Sequence, residues 1–469
     1  MTKQLTWKEK YSLKNPMKLL ESSASQFFSR FVVIWLAGTA VFLPVKILNL
    51  PFNFELVDFW ILMGLPVGLV FYGFRRSRVI NIAYAIPMWF ILIGSLASTF
   101  AAPSVSRSLT IILKEMYLFF WFMVVATFLS ITTAEDFRKI LRIWSGAVVF
   151  HGMIIIMQFL SPDLWHFTNS LGGDVVTHEI YRPAGLFICD AAGCANKAAF
   201  FQVLGFVPLL MASFSKRTTM LLGLILFASM MGTGSMGATV AFLSGLVVAL
   251  FMISYLQNRP LMLVKLSVKL AMGLLLLGGV FLIVVSQNEA YLNQFERIAV
   301  GRFDKSSGSR FSLWQRGFDV FREYDVFIWG IGPGNFKEVD TGGSNQLHND
   351  MLAFLVERGA LGELGLVLFA GIAFARAIYI LKIYKQFPTR GRLEIVAFLA
   401  ILVSTLAESL THQVFHAREL WLILALQEAV IYKMLNFENG IEDPLTSTVQ
   451  SSRAFQHGRV LAPKTGVVR

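Results

Sequence analysis

Charge is scarce in this chain. Only 15% of its 469 residues are Asp, Glu, Lys or Arg, too few for a soluble domain of that length. Cysteine is scarcer still: Cys189 and Cys194 are the only two. One disulfide between them and two separate thiols both stay open. No cleavable leader is evident, because residues 1–27 are polar and basic (Lys3, Lys8, Lys10, Lys14, Lys18) and no short apolar core with a small-residue cleavage site follows. No His/Cys/Asp cluster with metal-ligand spacing stands in the polar intervals, and no long-period repeat is visible. Gly330-x-Gly332-x-Gly334 is not a nucleotide loop. It lacks the preceding strand of a βαβ unit and the Lys-Ser/Thr of a P-loop. A tight turn that brings backbone close to a ligand or to neighbouring helices accounts for it better.

What the chain has is apolar length. It is 55% hydrophobic, with 43 phenylalanines. Apolar blocks near the ~20 residues needed to cross a bilayer lie at about 31–48, 56–74, 79–100, 109–131, 139–160, 197–213, 218–232, 236–256, 266–286, 361–383, 394–411 and 418–434. The first serves as an uncleaved anchor. The net charge of +12 does not point to nucleic acid, because the basic residues recur in short clusters between apolar blocks. Arg75, Arg76 and Arg78 form one such cluster, Arg138, Lys139 and Arg142 another, then Lys216-Arg217, and Lys382 to Arg392. Their alternation puts both termini in the cytoplasm and two larger loops, 161–196 and 287–360, on the opposite face. The expected organisation is therefore a nine-span bundle over 1–286, a periplasmic loop over 287–360, further spans over 361–434, and a disordered cytoplasmic tail over 435–469.

Candidate chemistry concentrates in the two loops. Tyr181-Arg182-Pro183-Ala184-Gly185 combines a cation with a rigid turn, suited to holding Arg182 at a phosphate. An arginine at the lipid headgroup level is the competing reading. In the second loop Phe311, Trp314, Phe318 and Phe321 recur at helical spacing, with Ser307 or Ser309 as the expected N-cap and Arg310 in the first turn. Such a helix lies along the membrane interface or over a groove, or simply packs with its arginines in water. His348 opens a second helical run, Leu352, Leu355 and Val356, which Gly359 should close. A histidine at a helix N-terminus is favoured in the neutral form that accepts a proton near pH 7. A capping or interfacial histidine is the alternative. Within the spans, Lys114, Glu115 and Glu408 stand first among polar groups of functional interest, followed by Gln158, Glu363, His412 and His416 near span ends.

The order R-P-x-G-x-F from Arg182, S-R-x-x-x-W from Ser309, G-x-G-x-G-N-F from Gly330, H-N-D from His348 and E-R-G-x-x-G from Glu357 resembles the O-antigen ligase and O-antigen polymerase superfamily. The motifs cover about residues 181–362, and the topology covers the whole chain. The resemblance implies an all-α polytopic membrane protein of about 12 transmembrane helices, GT-C-like, with a large, partly helical periplasmic loop. It implies a glycosyltransferase of the bacterial inner membrane, acting at the periplasmic face in O-antigen or exopolysaccharide assembly. Its partners would be an undecaprenyl-pyrophosphate-linked glycan donor, a glycan or lipid acceptor, the bilayer and other polysaccharide-assembly membrane proteins. No nucleic acid and no cofactor are expected. His348 and Arg310 would be catalytic, with substrate contacts from Arg182, Trp314, Asn349, Lys114, Glu115 and Glu408. One departure is that Ser235-Met236 stands where the family often has Ser-Arg.

The chemistry is coherent without the name. Displacing pyrophosphate from an anomeric carbon needs fixed positive charge on the leaving group and a base for the incoming hydroxyl. Arginine forks supply the first without a metal. A transporter or flippase of lipid-linked glycans is the other class that so many spans would suit, although it would place its key residues near the membrane midplane. Ligase and polymerase are not distinguished by these residues.

Overall fold

A computed structural model of the chain describes residues 30–43, 45, 56–75, 82–161, 164, 183–187, 193–256, scattered positions between 261 and 279, 301–324, 327–339, 347–384 and 392–438; of residues 301–310 and several other helix-end residues only the backbone is described. Every regular element of more than one residue among them is helical. In chain order these are α1 (Arg30–Phe42), α2 (Leu56–Arg75), α3 (Ala85–Thr99, after a 3₁₀ turn Ile82–Tyr84), α4 (Val105–Ile131), α5 (Ala134–Leu160), α6 (Gly193–Met211) and α7 (Lys216–Gly232). They continue with α8 (Met236–Leu256), α9 (Gly301–Glu323), a single turn α10 (Phe336–Val339), α11 (Asp350–Tyr384), α12 (Arg392–Ser409) and α13 (Arg418–Glu438).

Four of these, α4, α5, α8 and the Asp350–Lys382 part of α11, are long and apolar enough to cross a membrane; α1, α3 and parts of α6 and α12 are shorter apolar helices. Eleven of the twelve predicted apolar blocks carry a helix, within a few residues at most ends. The ninth, 266–286, falls mostly outside the described residues, and residues 1–29, Arg182, Cys189 and the tail beyond Glu438 fall outside them entirely. Cys194 is described only as helix backbone.

Local sequence sets the breaks. Thr133 Oγ1 accepts Asp136 N–H at 3.1 Å to start α5, and Ser215 does the same for Thr218 to start α7. The apolar run 218–256 is split at Gly232-Thr233-Gly234-Ser235, where Gly234 takes φ 62° and Ser235 N–H turns to Thr233 Oγ1 at 3.2 Å. Gly359 interrupts α11 with φ 68° and ψ −170°, a conformation any Cβ would oppose. The helix begun at Asp350 therefore ends where the sequence places its cap, and a second, membrane-length segment starts at Ala360. One expectation is corrected here. Helix α9 is already helical at Gly301, so Ser307 and Ser309 lie inside it rather than at its N-terminus, and Arg310 is well past the first turn. The apolar periodicity begins only at Phe311, and the polar turns before it carry no periodic signal.

Small residues let the helices approach closely. A Cβ at Gly94 of α3 would meet Gly362 N of α11 at 2.6 Å, and one at Gly245 of α8 would meet Ala400 O of α12 at 2.7 Å. An aromatic ladder fills the space between α4, α11 and α13: Phe369 packs on Phe415 and Trp421, and Trp421 on Phe122 (centroids 5.3–6.0 Å). At one end of the bundle Lys433 Nζ donates to the carbonyls of Ser130 (3.2 Å) and Thr132 (2.5 Å), closing the C-terminus of α4. At the other end α9, α10 and the Gly330–Gly334 turn are folded over the helix termini, and the polar residues gather there.

Candidate functional site

The centre of that end is Arg358, 1% exposed. Its guanidinium is paired with Glu115 of α4 and donates through Nε to Ser95 Oγ of α3 at 3.1 Å, while its Cζ lies 3.9 Å from the Phe354 ring centroid. His416, in the turn between α12 and α13, places Nε2 2.8 Å from the same Glu115 Oε1. Burial holds the His416 imidazole below its ordinary pKa, against the pull of Glu115. Three helices and one turn are thus pinned on one buried arginine–carboxylate pair. The glycine-rich turn is fastened to the same place. Ile331 N–H and Gly332 N–H donate to the carbonyls of Val356 and Glu357 (3.0 and 2.8 Å), and Gly334 N–H donates to Glu357 Oε2 (2.9 Å). Positive φ at Gly330, Gly332 and Gly334 (71°, 90° and 73°) makes this possible. Asn335 completes the join, accepting Ser104 N–H and donating to Ser108 Oγ, both at 2.8 Å. The turn therefore carries backbone onto the helix bundle, one of the two roles its glycines suggested.

Beside this brace stands a second polar group. His348 precedes α11 with φ 47°, an uncommon conformation for a residue with a Cβ. Its ring lies edge-on to that of His412, centroids 5.9 Å apart at 78°. His412 Nδ1 is 2.6 Å from Glu408 Oε1 one helical turn earlier, and 3.2 Å from Thr411 Oγ1. Glu408 is 1% exposed, and its second oxygen has no hydrogen-bond partner among the described residues. A Cβ at Gly237, near the start of α8, would meet that oxygen at 2.9 Å. Asp350 behaves similarly: Oδ2 accepts Val414 and Phe415 N–H (2.8 and 3.1 Å), whereas the buried Oδ1 has no partner among the described residues. Asp350 lies at the head of a narrow apolar cleft between α11, α12 and α13, walled by Leu366, Phe369, Phe374, Leu402 and Leu424.

The expected site residues divide accordingly. His348 and Glu408 are brought together through His412, a residue the sequence offered only as a span-end polar group. Asn349 is beside them, but its Oδ1 accepts Leu352 N–H at 3.0 Å and caps the helix. Glu115 belongs to the buried brace, and Lys114 is half-buried one residue before it. Trp314 packs on the small core of Val320, Leu347, Leu352 and Val356, its indole N–H buried without a partner among the described residues. Arg310 lies one turn before Trp314 on α9, with its side chain outside the described atoms.

The loop that carries Arg182 is anchored by a second buried chain, on α5, that periodicity did not reveal. Gln158 Oε1 accepts Ala184 and Gly185 N–H (3.1 and 2.8 Å), and its Nε2 donates to Gly185 O (2.9 Å). His151 Nε2 sits 3.2 Å from Ala184 O, with Nδ1 2.8 Å from Gln202 Nε2, and Ser229 Oγ donates to Gln202 Oε1 at 3.1 Å. Gln158 had stood out only as a polar group near a span end. The signal that could have found the rest is three polar residues, His151, Gln202 and Ser229, each isolated in an apolar helix.

A bundle that is helical throughout its described residues, with membrane-length apolar helices, marks an integral membrane protein, and the polar, partly unsatisfied cluster at one end is its candidate site. Residues 221–370 match the family model described as O-antigen ligase. That match, from α7 into α11, includes α9, the glycine turn and His348, and it supports the O-antigen ligase and polymerase superfamily and bacterial membrane glycan assembly for this chain. No curated protein matches the chain.

Proposed function

We propose that the chain is a glycosyltransferase that takes a glycan from a polyprenyl-pyrophosphate carrier, undecaprenyl pyrophosphate in bacteria, and joins it to a hydroxyl of a glycan or lipid acceptor on the periplasmic side of the inner membrane. The observation that carries this reading is His348, inside the segment that matches the family, edge-on to a Glu408-held His412 that lies beyond that segment. In the proposed step the acceptor oxygen forms a bond to the anomeric carbon. The bond from that carbon to the carrier phosphate breaks, its electron pair stays on the phosphate oxygen, and the hydroxyl proton passes to His348. Arg310 and Arg182 would bear the charge developing on the leaving group. Trp314, Asn349 and Lys114 line the approach in this reading, and Glu115 acts through Arg358. The cleft below Asp350 has the apolar walls and the position to receive part of a carrier chain.

The same reading keeps both termini in the cytoplasm and the GT-C-like arrangement of about 12 spans, with 287–360 as the periplasmic catalytic loop. It needs no metal, since arginines supply the positive charge. The test is transfer by the purified protein in nanodiscs, from a synthetic polyprenyl-pyrophosphate oligosaccharide to acceptor, with EDTA present and no ATP or ion gradient. Product formation is expected. Movement of the carrier across a vesicle bilayer without transfer would replace this reading by a flippase, and loss in EDTA with rescue by a divalent ion would overturn metal independence. In a deletion strain, single repeats left on an acceptor mean polymerase, whereas bare acceptor with carrier-linked polymer means ligase.

A further inference from the structure

Helix α9 has a wider apolar face than the protein covers. Trp314, Gly317, Val320 and Phe321 pack on Leu347, Leu352 and Val356, so closely that a Cβ at Gly317 would meet Leu347 and Leu352 side chains at 2.6 and 2.8 Å. Phe311 and Phe318, two turns apart and therefore on one stripe, run alongside that face but stay 69% and 49% exposed. The stripe does not end with the helix. The Phe321 ring touches Phe327 (centroids 6.1 Å, 84°), and Phe327, Ile328 and Trp329 are all more than half exposed in succession. Three consecutive large apolar residues pointing outward is the pattern of a surface with an occupant.

The position of the ridge says what that occupant is. Phe327 O accepts Ala360 N–H at 2.7 Å, and the backbone of Ile328 and Trp329 lies against Gly359. The ridge is thus fastened at the break where the membrane-length segment of α11 begins. Directly along that helix Leu364 and Val367 are exposed, and α3, packed on α11 through Gly94 and Gly362, exposes Ile93 and Leu96, with exposed Phe100 just after its end. Exposed apolar residues therefore stand on both sides of this join, on the bundle helices and on the ridge. The side of α9 turned away from Leu347 and Leu352 carries exposed Gln315, Arg316, Asp319 and Arg322, of which Gln315 and Arg322 flank Phe318. Aromatic residues at the end of a span, with an amphipathic helix lying across them, are what the boundary between headgroups and acyl chains accommodates.

We propose that Phe311, Phe318, Phe327, Ile328 and Trp329 form an aromatic ridge immersed in the bilayer leaflet on the loop's side of the bundle. The partner is lipid, and the ridge holds α9 and the Gly330–Gly334 turn at the membrane surface whatever reaction occurs beside them. The claim is independent of glycosyl transfer, so its test needs no activity.

The test uses the full chain with Cys189→Ser and Cys194→Ser, in nanodiscs of phosphatidylethanolamine and phosphatidylglycerol, with a spin label at one introduced cysteine. Labels replacing Phe318 and Trp329 should be more accessible to oxygen than to a water-soluble nickel chelate, as a label at Leu364 should be. A label at Asp319, next along α9, should show the reverse. Nickel access at 318 and 329 equal to that at 319 would overturn the proposal in favour of a surface in water. Exclusion of both reagents would overturn it in favour of a protein partner or a second copy. A second readout needs no label: the fluorescence that Trp329→Phe removes should be quenched by brominated-chain phosphatidylcholine, and an unquenched difference would overturn the proposal even if the labelled variants fail to fold.

Discussion

Two charged clusters share one end of this bundle and differ in how fully they are satisfied. Around Arg358 the buried partners are in place: Glu115, Ser95 and the Phe354 face for the guanidinium, and His416 for Glu115. Beside His348 and His412, Glu408 and Asp350 each keep a buried carboxyl oxygen without a partner among the described residues. Buried polar groups are nearly always hydrogen-bonded, because leaving one unmade costs its desolvation. A saturated cluster can therefore serve shape alone, whereas an unsaturated one keeps bonding capacity for something that binds. The sequence put Glu115 and Glu408 in one category, as carboxylates in spans. Their surroundings assign one to the brace and the other to the proposed site.

The comparison breaks most sharply at His348. His348→Ala and His348→Gln should each slow single-turnover transfer by ~10²–10⁴-fold with carrier-linked donor still bound, the usual span of a general base. Arg310→Lys should also be severe, because lysine cannot reproduce a bidentate fork on phosphate. Near-normal turnover in His348→Ala with abolition in Arg310→Ala would reduce the chemistry to leaving-group stabilisation. The unsaturated cluster would then have no catalytic meaning.

The brace should respond in stability. Arg358→Met leaves Glu115 buried without its main partner, a loss on the order of 3–5 kcal/mol for a buried pair, read as a lower thermal midpoint in detergent. The double variant Arg358→Met, Glu115→Gln should recover part of it. If Arg358→Met keeps its midpoint but stops transfer, Arg358 is part of the site and the division between clusters fails. Glu408→Gln should do the opposite, leaving the midpoint near wild type and slowing transfer roughly tenfold. That is the scale of one hydrogen bond to a charged group, ~1.5 kcal/mol.

How much of this was legible depends on the length scale of the signal. Helix positions followed from apolar blocks, and the ends at Gly232, Gly234 and Gly359 from glycine, because both are written locally. His348 at the head of a helix was legible for the same reason. The pairing of Glu115 with Arg358, 243 residues apart, was not, because nothing in a single sequence records which polar residues of different helices meet. The start of α9 is not legible because its first turns are mostly polar; the role of His412 is hidden because it looks like one more polar residue at a span end, and that of His151 because it looks like one isolated polar residue in an apolar helix.

The smallest effect tests a residue on the boundary between the clusters. Asn349 was expected to touch substrate, yet its Oδ1 caps the helix that carries Asp350 and Arg358. If capping is its main work, Asn349→Ala should cost about 1 kcal/mol of stability, and Asn349→Asp or Asn349→Ser should restore it, since either side chain can accept Leu352 N–H. The KM for donor should then be unchanged in all three. Arg322→Lys, exposed on α9 and outside every contact described, serves as the silent control for both readings. A raised KM in Asn349→Asp with the midpoint preserved would mean that the amide nitrogen meets substrate while the oxygen caps. Asn349 would then join His348 in the proposed site, and the line between shape and chemistry would pass through a single side chain.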